Sequence, residues 1–353
     1  MIINEHDPRA GKIYQVVDEH AKVRAGAVLP SDDLLKQFYR DMMRVRAIDD
    51  KAFKLQRQGR MHTFPQITGH EAIQIAAAYA MQEEDWLAPS YREEALVHLR
   101  GVPYSQILLF WLGNEKGSAY PKDVNVLPFS IPIASHMLHA VGIGWGAKMC
   151  GEKIAVVTTF GDGATSEGEF HEAMNFAGVF KAPVVFLCTN NQWAISVCRK
   201  DQSASKTLAE KAFGYGFDGI CVDGLDVVAM HQVMQEACDK ARNGGGPTMI
   251  EAVTYRLCDH TTADDASIYQ DVDERKAWEQ KDGVRRLRKL LEKRGLWSAS
   301  DDEALEKEVQ TFIDQTIREL EASPEVTPDE IFSTTFADMP PRLKKQLEDV
   351  KAS

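Results

Sequence analysis

The stretch GDGATSEGEFHEAMNFAGVFKAPVVFLCTNNQWAIS, residues 161–196, decides the fold of this chain. The apolar, β-branched run at 154–160 predicts a buried parallel strand, and residues 184–189 predict the next one. Between them, Ser166-Glu167-Gly168-Glu169 has the pattern of a capping box and predicts the start of a helix. The unit is therefore strand, loop, helix, strand, which indicates an open parallel sheet.

Polar side chains follow both predicted strands, at the sheet edge where open parallel sheets bind ligands. Asp162 follows the first strand and Asn191 follows the second. A carboxylate and an amide carbonyl are hard oxygen ligands suited to Mg²⁺, which completes its shell with water and phosphate oxygens. Gly161 and Gly163 let backbone N–H groups approach a phosphate near a helix start. The paired spacing predicts a magnesium and phosphate site, where Gly-Asp-Gly alone would indicate only a turn.

Composition limits the possible functions. The chain has 353 residues, 44% of them hydrophobic, enough for one large α/β domain with additions or for two small domains. Its net charge of −12 argues against nucleic acid or an anionic membrane as a partner. The six cysteines show no Cys-x-x-Cys or zinc spacing, which favours reduced core thiols. With a polar N-terminus and no apolar run of membrane-spanning length, we expect a cytoplasmic protein.

The remaining chain is mostly helical, with two further strands. Helices are predicted from Ser31, from Gly69, from Pro103, at 134–150, at 226–243 and beyond about residue 270. Strands are predicted at 219–222 and at Thr248–Arg256. The Gly-, Pro- and Asn-rich stretch 113–133 is predicted to be a long loop, which in a compact domain is usually functional.

Further segments combine with this unit in one pattern. They are GHEA at 69–72, PSYRE at 89–93, EAVTYRLCDHTTADD at 251–265 and ADMPPRLKKQ at 337–346. With them the chain resembles, from about residue 30 to its end, the alpha subunit of the decarboxylating first component of 2-oxoacid dehydrogenase complexes. The pyruvate and branched-chain enzymes are the types it is most similar to.

This resemblance implies the thiamine-diphosphate-binding α/β fold. That fold is an open, mostly parallel sheet with helices on both faces, here with helical N- and C-terminal additions. We expect three parts: an N-terminal arm and helix at 1–60, a diphosphate-binding domain at 61–270, and a charged helical extension at 271–353 that packs on the same domain.

The resemblance also implies how the cofactor is anchored. Asp162, Asn191 and the backbone carbonyl of Trp193 would hold Mg²⁺, and the metal would carry the diphosphate of thiamine diphosphate. The cofactor contacts implied within the motif also include Gly161, Gly163 and Ala164.

Five residues outside that motif are implied to contact the cofactor. Tyr91 and Arg92 match the family's Tyr-Arg pair, and the Arg fork can donate two charge-assisted hydrogen bonds to a phosphate. Arg256 matches a second diphosphate-binding arginine, and Ile133 matches the apolar wedge that keeps the cofactor bent. His260 matches a loop histidine near the active centre. Because its ordinary pKa is close to neutrality, we expect it to act as a proton donor or electrostatic stabiliser.

A partner chain is expected. Thiamine chemistry needs a carboxylate on the aminopyrimidine ring, which comes from a second domain, and this chain contains one phosphate unit only. The resemblance implies a beta subunit that supplies this group, in a heterotetramer of two alpha and two beta chains. The implied oxidoreductase reaction decarboxylates a 2-oxoacid, with pyruvate favoured. It then reductively acylates the lipoyl group of a dihydrolipoyl acyltransferase.

Some positions depart from the family pattern. His62-Thr63-Phe64-Pro65 replaces the usual pocket sequence, which leaves a branched-chain 2-oxoacid open as the substrate. Thr261 stands where animal enzymes have a phosphorylated serine, so kinase regulation is not expected. His136 replaces a potassium-binding Gln, so no potassium site is predicted. An acetoin-cleaving dehydrogenase and a non-catalytic assembly subunit remain alternatives, and the intact site residues argue against the second.

Overall fold

A wholly parallel five-stranded sheet forms the centre of the computed structural model, which describes residues 1–352. The strands in chain order are β1 (Trp86–Ala88), β2 (Val156–Gly161), β3 (Val184–Asn190), β4 (Trp193–Ala194), β5 (Val197–Cys198), β6 (Asp218–Asp223) and β7 (Thr248–Val253). The sheet has the order β1-β2-β3-β7-β6, while β4 and β5 form a separate antiparallel pair. The predicted fold class, a parallel α/β sheet with helices on both faces, is confirmed, although β1 was not predicted.

Helices connect the strands and extend both ends of the chain. They are α1 (Ile2–Glu5), α2 (Asp32–Arg57), α3 (Glu71–Ala80), α4 (Glu94–Leu99), α5 (Tyr104–Trp111), α6 (Ser135–Cys150), α7 (Gly168–Phe180), α8 (Arg199–Gln202), α9 (Val227–Arg242), α10 (Val272–Glu279), α11 (Gly283–Lys293), α12 (Ala299–Glu321), α13 (Pro328–Ser333) and α14 (Pro341–Ala352). None of the helices within residues 1–352 has the length and apolar character needed to cross a membrane.

Alternate strand residues face two separate cores. Val157 and Leu187 belong to one apolar cluster, and Val156 and Phe186 belong to the other, as the two-residue period of a strand requires. Helices α3 and α9 pack in the first cluster, and α6 and α7 pack in the second. Over the first cluster a further layer is formed by α2, α11 and α12.

Helix α2 shows why that further layer forms. Its N-cap Ser31 accepts a hydrogen bond from the Leu34 N–H, as the sequence predicts. Apolar residues at helical spacing, among them Phe38 and Met42, are fully buried. Because these residues share one core with the sheet and with α11 and α12, the arm and these two C-terminal helices pack on the sheet domain. The division of the chain near residues 60 and 270 stays a prediction.

Two local predictions were wrong. The capping box at Ser166 does not form, because residues 162–166 make a 3₁₀ helix and the Ser166 hydroxyl accepts a hydrogen bond from Gln202. Helix α7 begins at Gly168 without a side-chain cap. The last strand ends at Val253 rather than Arg256, because the backbone leaves the ladder and donates from Thr254 and Arg256 to carbonyls in the Asn190-Asn191 turn.

Candidate cofactor site

A cavity of about 470 Å³ lies at the carboxyl ends of β2 and β3, the sheet edge predicted to bind the ligand. It brings together nearly all of the predicted site residues, which come from five separate parts of the chain. The predicted residues that line it are Tyr91, Arg92, Ile133, Gly161, Asp162, Gly163, Ala164, Asn191, Trp193 and His260. Arg256 is the predicted residue that does not line the cavity.

Asp162 is the most deeply buried ionisable side chain in this cavity. It is 1% exposed, and its Oδ2 is buried without a hydrogen-bond partner. Burial raises the pKa of its carboxyl to about 7. An unpartnered buried carboxylate oxygen is costly unless a cation or donor satisfies it. Asp162 therefore has the environment of a side chain that is completed by a bound cation.

The structure distinguishes the two adjacent asparagines at the end of β3. The Asn190 amide donates to Glu251 Oε1 at 2.7 Å, away from the cavity. Asn191 lines the cavity, and its Oδ1 accepts from the Trp193 N–H at 3.2 Å. Carbonyl oxygens have two lone pairs, so Asn191 Oδ1 retains one for a ligand. Asn191 is thus the member of the pair placed beside Asp162.

The oxygen set at this edge can supply only part of a metal shell. Within residues 1–352 no group of three His, Cys, Asp or Glu side chains is arranged to hold a metal. Asp162 and Asn191 offer side-chain oxygens, and the Trp193 carbonyl accepts a long bond of 3.5 Å from Arg256. This fits Mg²⁺, because that ion binds through one or two protein oxygens together with water and phosphates.

Close packing explains why Gly163 of the motif is a glycine. A Cβ at Gly163 would lie 2.9 Å from the Ala194 Cβ, closer than real side chains pack. The 3₁₀ turn carrying Asp162 therefore lies directly against β4, and only glycine permits that approach.

Arg92 and His260 form a hydrogen-bonded pair in the lining of the same cavity. The Arg92 Nη1 donates to the Gln66 carbonyl at 2.7 Å, and its Nη2 donates to the His260 carbonyl at 2.7 Å. The same Nη2 lies 3.2 Å from His260 Nδ1. Since a guanidinium can only donate, Nδ1 must be the acceptor and the neutral imidazole carries its proton on Nε2.

The charge state of His260 differs from the sequence-based expectation. Burial, together with the positive charges of Arg92 and Arg256, lowers its pKa to about 4. At neutral pH the ring is therefore uncharged and offers a hydrogen bond through Nε2–H. An anionic group near Arg92 and Arg256 would oppose their effect on the pKa of His260. Its role as a proton donor or stabiliser stays a prediction.

Arg256 is fully buried, and its guanidinium is hydrogen-bonded to other groups of the chain. Its Nη2 donates to the Ile195 carbonyl at 2.8 Å and also to the Tyr269 hydroxyl. Tyr269 in turn donates to Asp264, which accepts from the His260 N–H at 2.8 Å. Arg256 thus links β4 and the following turn to the His260 loop. Its predicted contact with a diphosphate would require those bonds to change.

Two cavity residues were missed by sequence reasoning. His70 is 2% exposed, its Nε2 lies 3.4 Å from the Asn191 amide nitrogen, and burial lowers its pKa to about 3. Glu93 is 3% exposed with an unpartnered Oε2, and burial raises its pKa to about 8. His70 lies in the segment GHEA, directly before the start of α3, and Glu93 lies in the segment PSYRE, directly after Arg92. These two positions were the available signal in the sequence.

The mouth of the cavity is apolar. Ile133, the predicted wedge, is 41% exposed, and Ile131 and Ile195 beside it are 50% and 57% exposed. Trp111 and Pro65 extend the apolar wall. The cavity thus combines polar anchoring groups with exposed apolar residues, as expected where an amphipathic cofactor binds.

Fold and cavity together define an α/β cofactor-binding protein whose site lies at the carboxyl edge of a parallel sheet. The chain belongs to the dehydrogenase E1 component family, an oxidoreductase family whose model matches residues 39–329.

Named relatives cover nearly the whole chain. The pyruvate dehydrogenase E1 component subunit alpha of Acholeplasma laidlawii is 44% identical over 92% of this chain and 94% of its own length. The 3-methyl-2-oxobutanoate dehydrogenase subunit alpha of Mycobacterium tuberculosis is 41% identical over 91% and 88%. The pyruvate dehydrogenase E1 component subunit alpha of Staphylococcus aureus is 36% identical over 96% and 93%.

Proposed function

We propose that this chain is the alpha subunit of a thiamine-diphosphate-dependent 2-oxoacid dehydrogenase. The family is thiamine-diphosphate-dependent, and its relatives carry pyruvate and 3-methyl-2-oxobutanoate dehydrogenase names. The single observation that carries the proposal is the buried, unpartnered Asp162 Oδ2 beside Asn191 at the ends of adjacent parallel strands. That arrangement suits a metal-bound phosphate, and the Asp162 Oδ2 has no hydrogen-bond partner within the chain.

In this proposal Mg²⁺ is held by Asp162, Asn191 and the Trp193 carbonyl. A bound cation favours the charged carboxylate, so it would keep Asp162 ionised against the effect of burial. Gly161, Gly163 and Ala164 bring backbone groups to the diphosphate. The cofactor, when bound, supplies the electron sink that allows CO₂ to leave a 2-oxoacid.

The chain's own side chains bind and orient the cofactor. Arg92 is already fixed by two backbone carbonyls, so little side-chain freedom is lost when it meets a phosphate. Tyr91 lies edge-on to the His260 ring at 6.3 Å. The His260 Nε2–H offers a neutral hydrogen bond, and Ile131 and Ile133 exclude water at the mouth. Arg256 is the second diphosphate contact once its bonds to Ile195 and Tyr269 rearrange.

A beta subunit completes the site. Within residues 1–352 the main sheet and the β4–β5 pair are the only sheets, so no second sheet domain is present. The carboxylate for the aminopyrimidine ring would therefore come from another chain, in an assembly of two alpha and two beta subunits. The acyl acceptor would be the lipoyl group of a dihydrolipoyl acyltransferase, and a cytoplasmic location stays the expectation.

The substrate is a 2-oxoacid, with pyruvate favoured and a branched-chain 2-oxoacid as the alternative. The relative at 44% identity is a pyruvate enzyme, and the one at 41% is a 3-methyl-2-oxobutanoate enzyme. Turnover of the two acids by the assembly with its beta chain decides between them. Acetoin is included as a third substrate, because its cleavage would contradict the decarboxylase assignment.

The deciding experiment is calorimetry of thiamine diphosphate and Mg²⁺ with the alpha–beta assembly. Asp162→Ala should abolish Mg²⁺-dependent cofactor binding and 2-oxoacid decarboxylation. The matched control is Asp201→Ala, which removes an exposed carboxylate on the nearby helix α8 and should leave binding unchanged. Unaltered cofactor affinity in Asp162→Ala would refute the assignment.

A further inference from the structure

The Arg92 guanidinium is held at the cofactor cavity by the backbone of two loops. Its Nη2 donates to the His260 carbonyl and its Nη1 donates to the Gln66 carbonyl, each at 2.7 Å. Arg92 and His260 line the cavity, whereas Gln66 does not. The Gln66 carbonyl therefore orients a cavity group from outside the cavity, so whatever fixes this carbonyl also helps to fix the direction of the guanidinium.

The Gln66 carbonyl belongs to the same planar peptide group as the Ile67 N–H. This peptide is trans, so its C=O and its N–H point in opposite directions. The Ile67 N–H donates to Asp49 Oδ1 at 3.0 Å. One rigid peptide group is thus bound by Asp49 on its N–H side and by Arg92 on its C=O side.

Asp49 is a buried carboxylate of helix α2 that does not line the cavity. It is 1% exposed, while buried positions around it, such as Ile48 and Ala52, are apolar. Its Oδ2 accepts from the Thr68 hydroxyl at 2.9 Å and lies 3.5 Å from the Gln66 amide nitrogen. Because a carboxylate is costly to bury, its use here calls for a benefit beyond packing.

The two loops that hold Arg92 are also bonded to each other. The Phe64 N–H donates to Thr262 Oγ1, and the Thr262 N–H donates to the Phe64 carbonyl, each at 3.0 Å. Asp49 joins this pair of loops to α2, which is packed in the first core cluster. A rigid helix of the core is thus connected to the guanidinium through one side chain and one peptide group.

We infer that Asp49 is a positioning residue for the cofactor, which holds the Arg92 guanidinium in the direction of the diphosphate through the Gln66–Ile67 peptide. A carboxylate at the N–H end of a peptide also polarises the carbonyl at the other end, which strengthens the bond to the guanidinium. The inference rests on the proposed function, in which Arg92 contacts a phosphate. It adds a residue outside the cavity on which that contact depends.

The first measurement is the dissociation constant of thiamine diphosphate, with Mg²⁺, for the alpha–beta assembly. Burial raises the pKa of Asp49 to about 7, so the titration is run at a pH of about 8, where the carboxylate is ionised. Asp49→Leu should raise the dissociation constant about tenfold, the change expected when a hydrogen bond to a charged group is lost. Asp49→Asn keeps the shape and one acceptor oxygen, so it should fold readily and cause a smaller rise.

A double-mutant cycle separates positioning from a general loss of stability. Arg92→Met should itself weaken cofactor binding, because it removes a donor to the diphosphate. In that background Asp49→Leu should cause no further loss, since the group through which Asp49 acts is gone. If Asp49→Leu weakens binding by the same factor in both backgrounds, Asp49 acts on the fold in general and the inference is wrong.

The second measurement needs no cofactor. Nuclear magnetic resonance of the isolated chain gives the pKa of His260, which burial and the positive charges of Arg92 and Arg256 lower to about 4. When Asp49→Leu releases the guanidinium from its fixed position, the charge of Arg92 should act less strongly on the ring. The pKa of His260 should therefore rise in Asp49→Leu and in Arg92→Met.

Two control variants lie beside these contacts. Thr68→Val removes the second hydrogen bond of Asp49 but leaves the bond from the Ile67 N–H in place. It should lower the thermal midpoint of the isolated chain without changing the cofactor affinity or the pKa of His260. Asp50→Asn, at the exposed neighbouring position of α2, should change none of these three quantities.

Two further outcomes would overturn the inference. One is wild-type cofactor affinity in both Asp49 variants, and the other is an unchanged pKa of His260 in Asp49→Leu. Failure of the proposed function would look different: the wild-type assembly would bind no thiamine diphosphate, or Arg92→Met would bind it as tightly as the wild type. The pKa of His260 would still report in that case whether Asp49 positions Arg92.

Discussion

The two faces of the central sheet are covered to different extents. On the first side, α3 and α9 cover the strands, and α2, α11 and α12 add a further layer that buries their apolar residues. On the second side, α6 and α7 cover the strands equally well but keep Trp145, Met149, Phe176 and Val179 exposed. The chain thus builds an additional layer on one side and leaves apolar surface on the other.

The difference has an energetic meaning. Burying a large apolar side chain stabilises a structure by about 1.5–3 kcal/mol. On the covered side this stabilisation is gained within the chain, and on the open side it becomes available only when a partner binds. Substitutions on the two sides should therefore differ in their effect on the chain alone, although the residue types are the same.

The largest effect is expected from Phe38→Ala on the covered side. Phe38 is fully buried in α2, with its ring 5.2 Å from that of Tyr79 and 5.3 Å from that of His231. Truncation leaves a cavity, so the free energy of unfolding should fall by about 3–5 kcal/mol. Urea denaturation followed by circular dichroism measures this. Phe336→Ala, at a position that is 52% exposed, is the control and should change little.

The second prediction concerns the buried ion pairs that fasten α2 to its neighbours. Arg46 donates to Glu71 on α3 and to Asp282 before α11, each at 2.7 Å. Arg46→Met leaves two carboxylates without their cation, so the unfolding free energy should fall by about 3 kcal/mol. Arg40→Met, which removes an exposed pair with Glu308, should cost less than about 1 kcal/mol. A loss as small as that of Arg40→Met in the Arg46→Met variant would show that these ion pairs do not stabilise α2.

Much of this architecture could be predicted from the sequence. The short apolar, β-branched runs correctly predicted β2 and β3, and Ser31 correctly predicted the start of α2. The boundaries that failed depend on contacts from far along the chain. Ser166 does not cap α7 because Gln202, 36 residues later, holds its hydroxyl. The three-residue strand β1 is too short to show a period of its own.

In the candidate site, too, some features could be predicted from the sequence and others could not. The strand-end pattern predicted that Asp162 and Asn191 lie together, because strand ends in a parallel sheet converge by geometry, and both line one cavity. Tyr91, Arg92, Ile133 and His260 were implied by the family resemblance, and they line the same cavity.

Sequence patterns could not predict charge states. The pKa of His260 depends on burial and on the positive charges of Arg92 and Arg256, and the pKa of Glu93 depends on burial. Nor could they predict that Arg256, although adjacent in space, would be engaged by Ile195 and Tyr269.

The third prediction uses Glu93, at the cavity wall. Burial raises its pKa from 4.5 to about 8, so the folded chain retains a proton that the unfolded chain has released. Stability from this neutral group is complete below about pH 4.5 and is lost as the pH rises towards 8, with a limiting slope of about 1.4 kcal/mol per pH unit. Glu93→Gln stays neutral at every pH, so its advantage over wild type should grow by about 2 kcal/mol between pH 6 and pH 8.

Urea titrations at the two pH values measure that change. Glu84→Gln, at an exposed position, should show no such trend. Parallel pH dependence in wild type and Glu93→Gln would mean that Glu93 is ionised in the folded chain and has a partner there.

The smallest effect is expected on the open side, and it tests the comparison most directly. Val179 on α7 is 67% exposed, whereas Val309 on α12 is 7% exposed. Valine and serine have similar helix propensities, so replacement by serine reports mainly on burial. Val179→Ser should change the unfolding free energy of the isolated chain by no more than about 0.5 kcal/mol. Val309→Ser should cost clearly more, because it removes a buried methyl pair and buries a hydroxyl. If Val179→Ser were as costly as Val309→Ser, α7 would already be covered within the chain, and the two sides of the sheet would not differ.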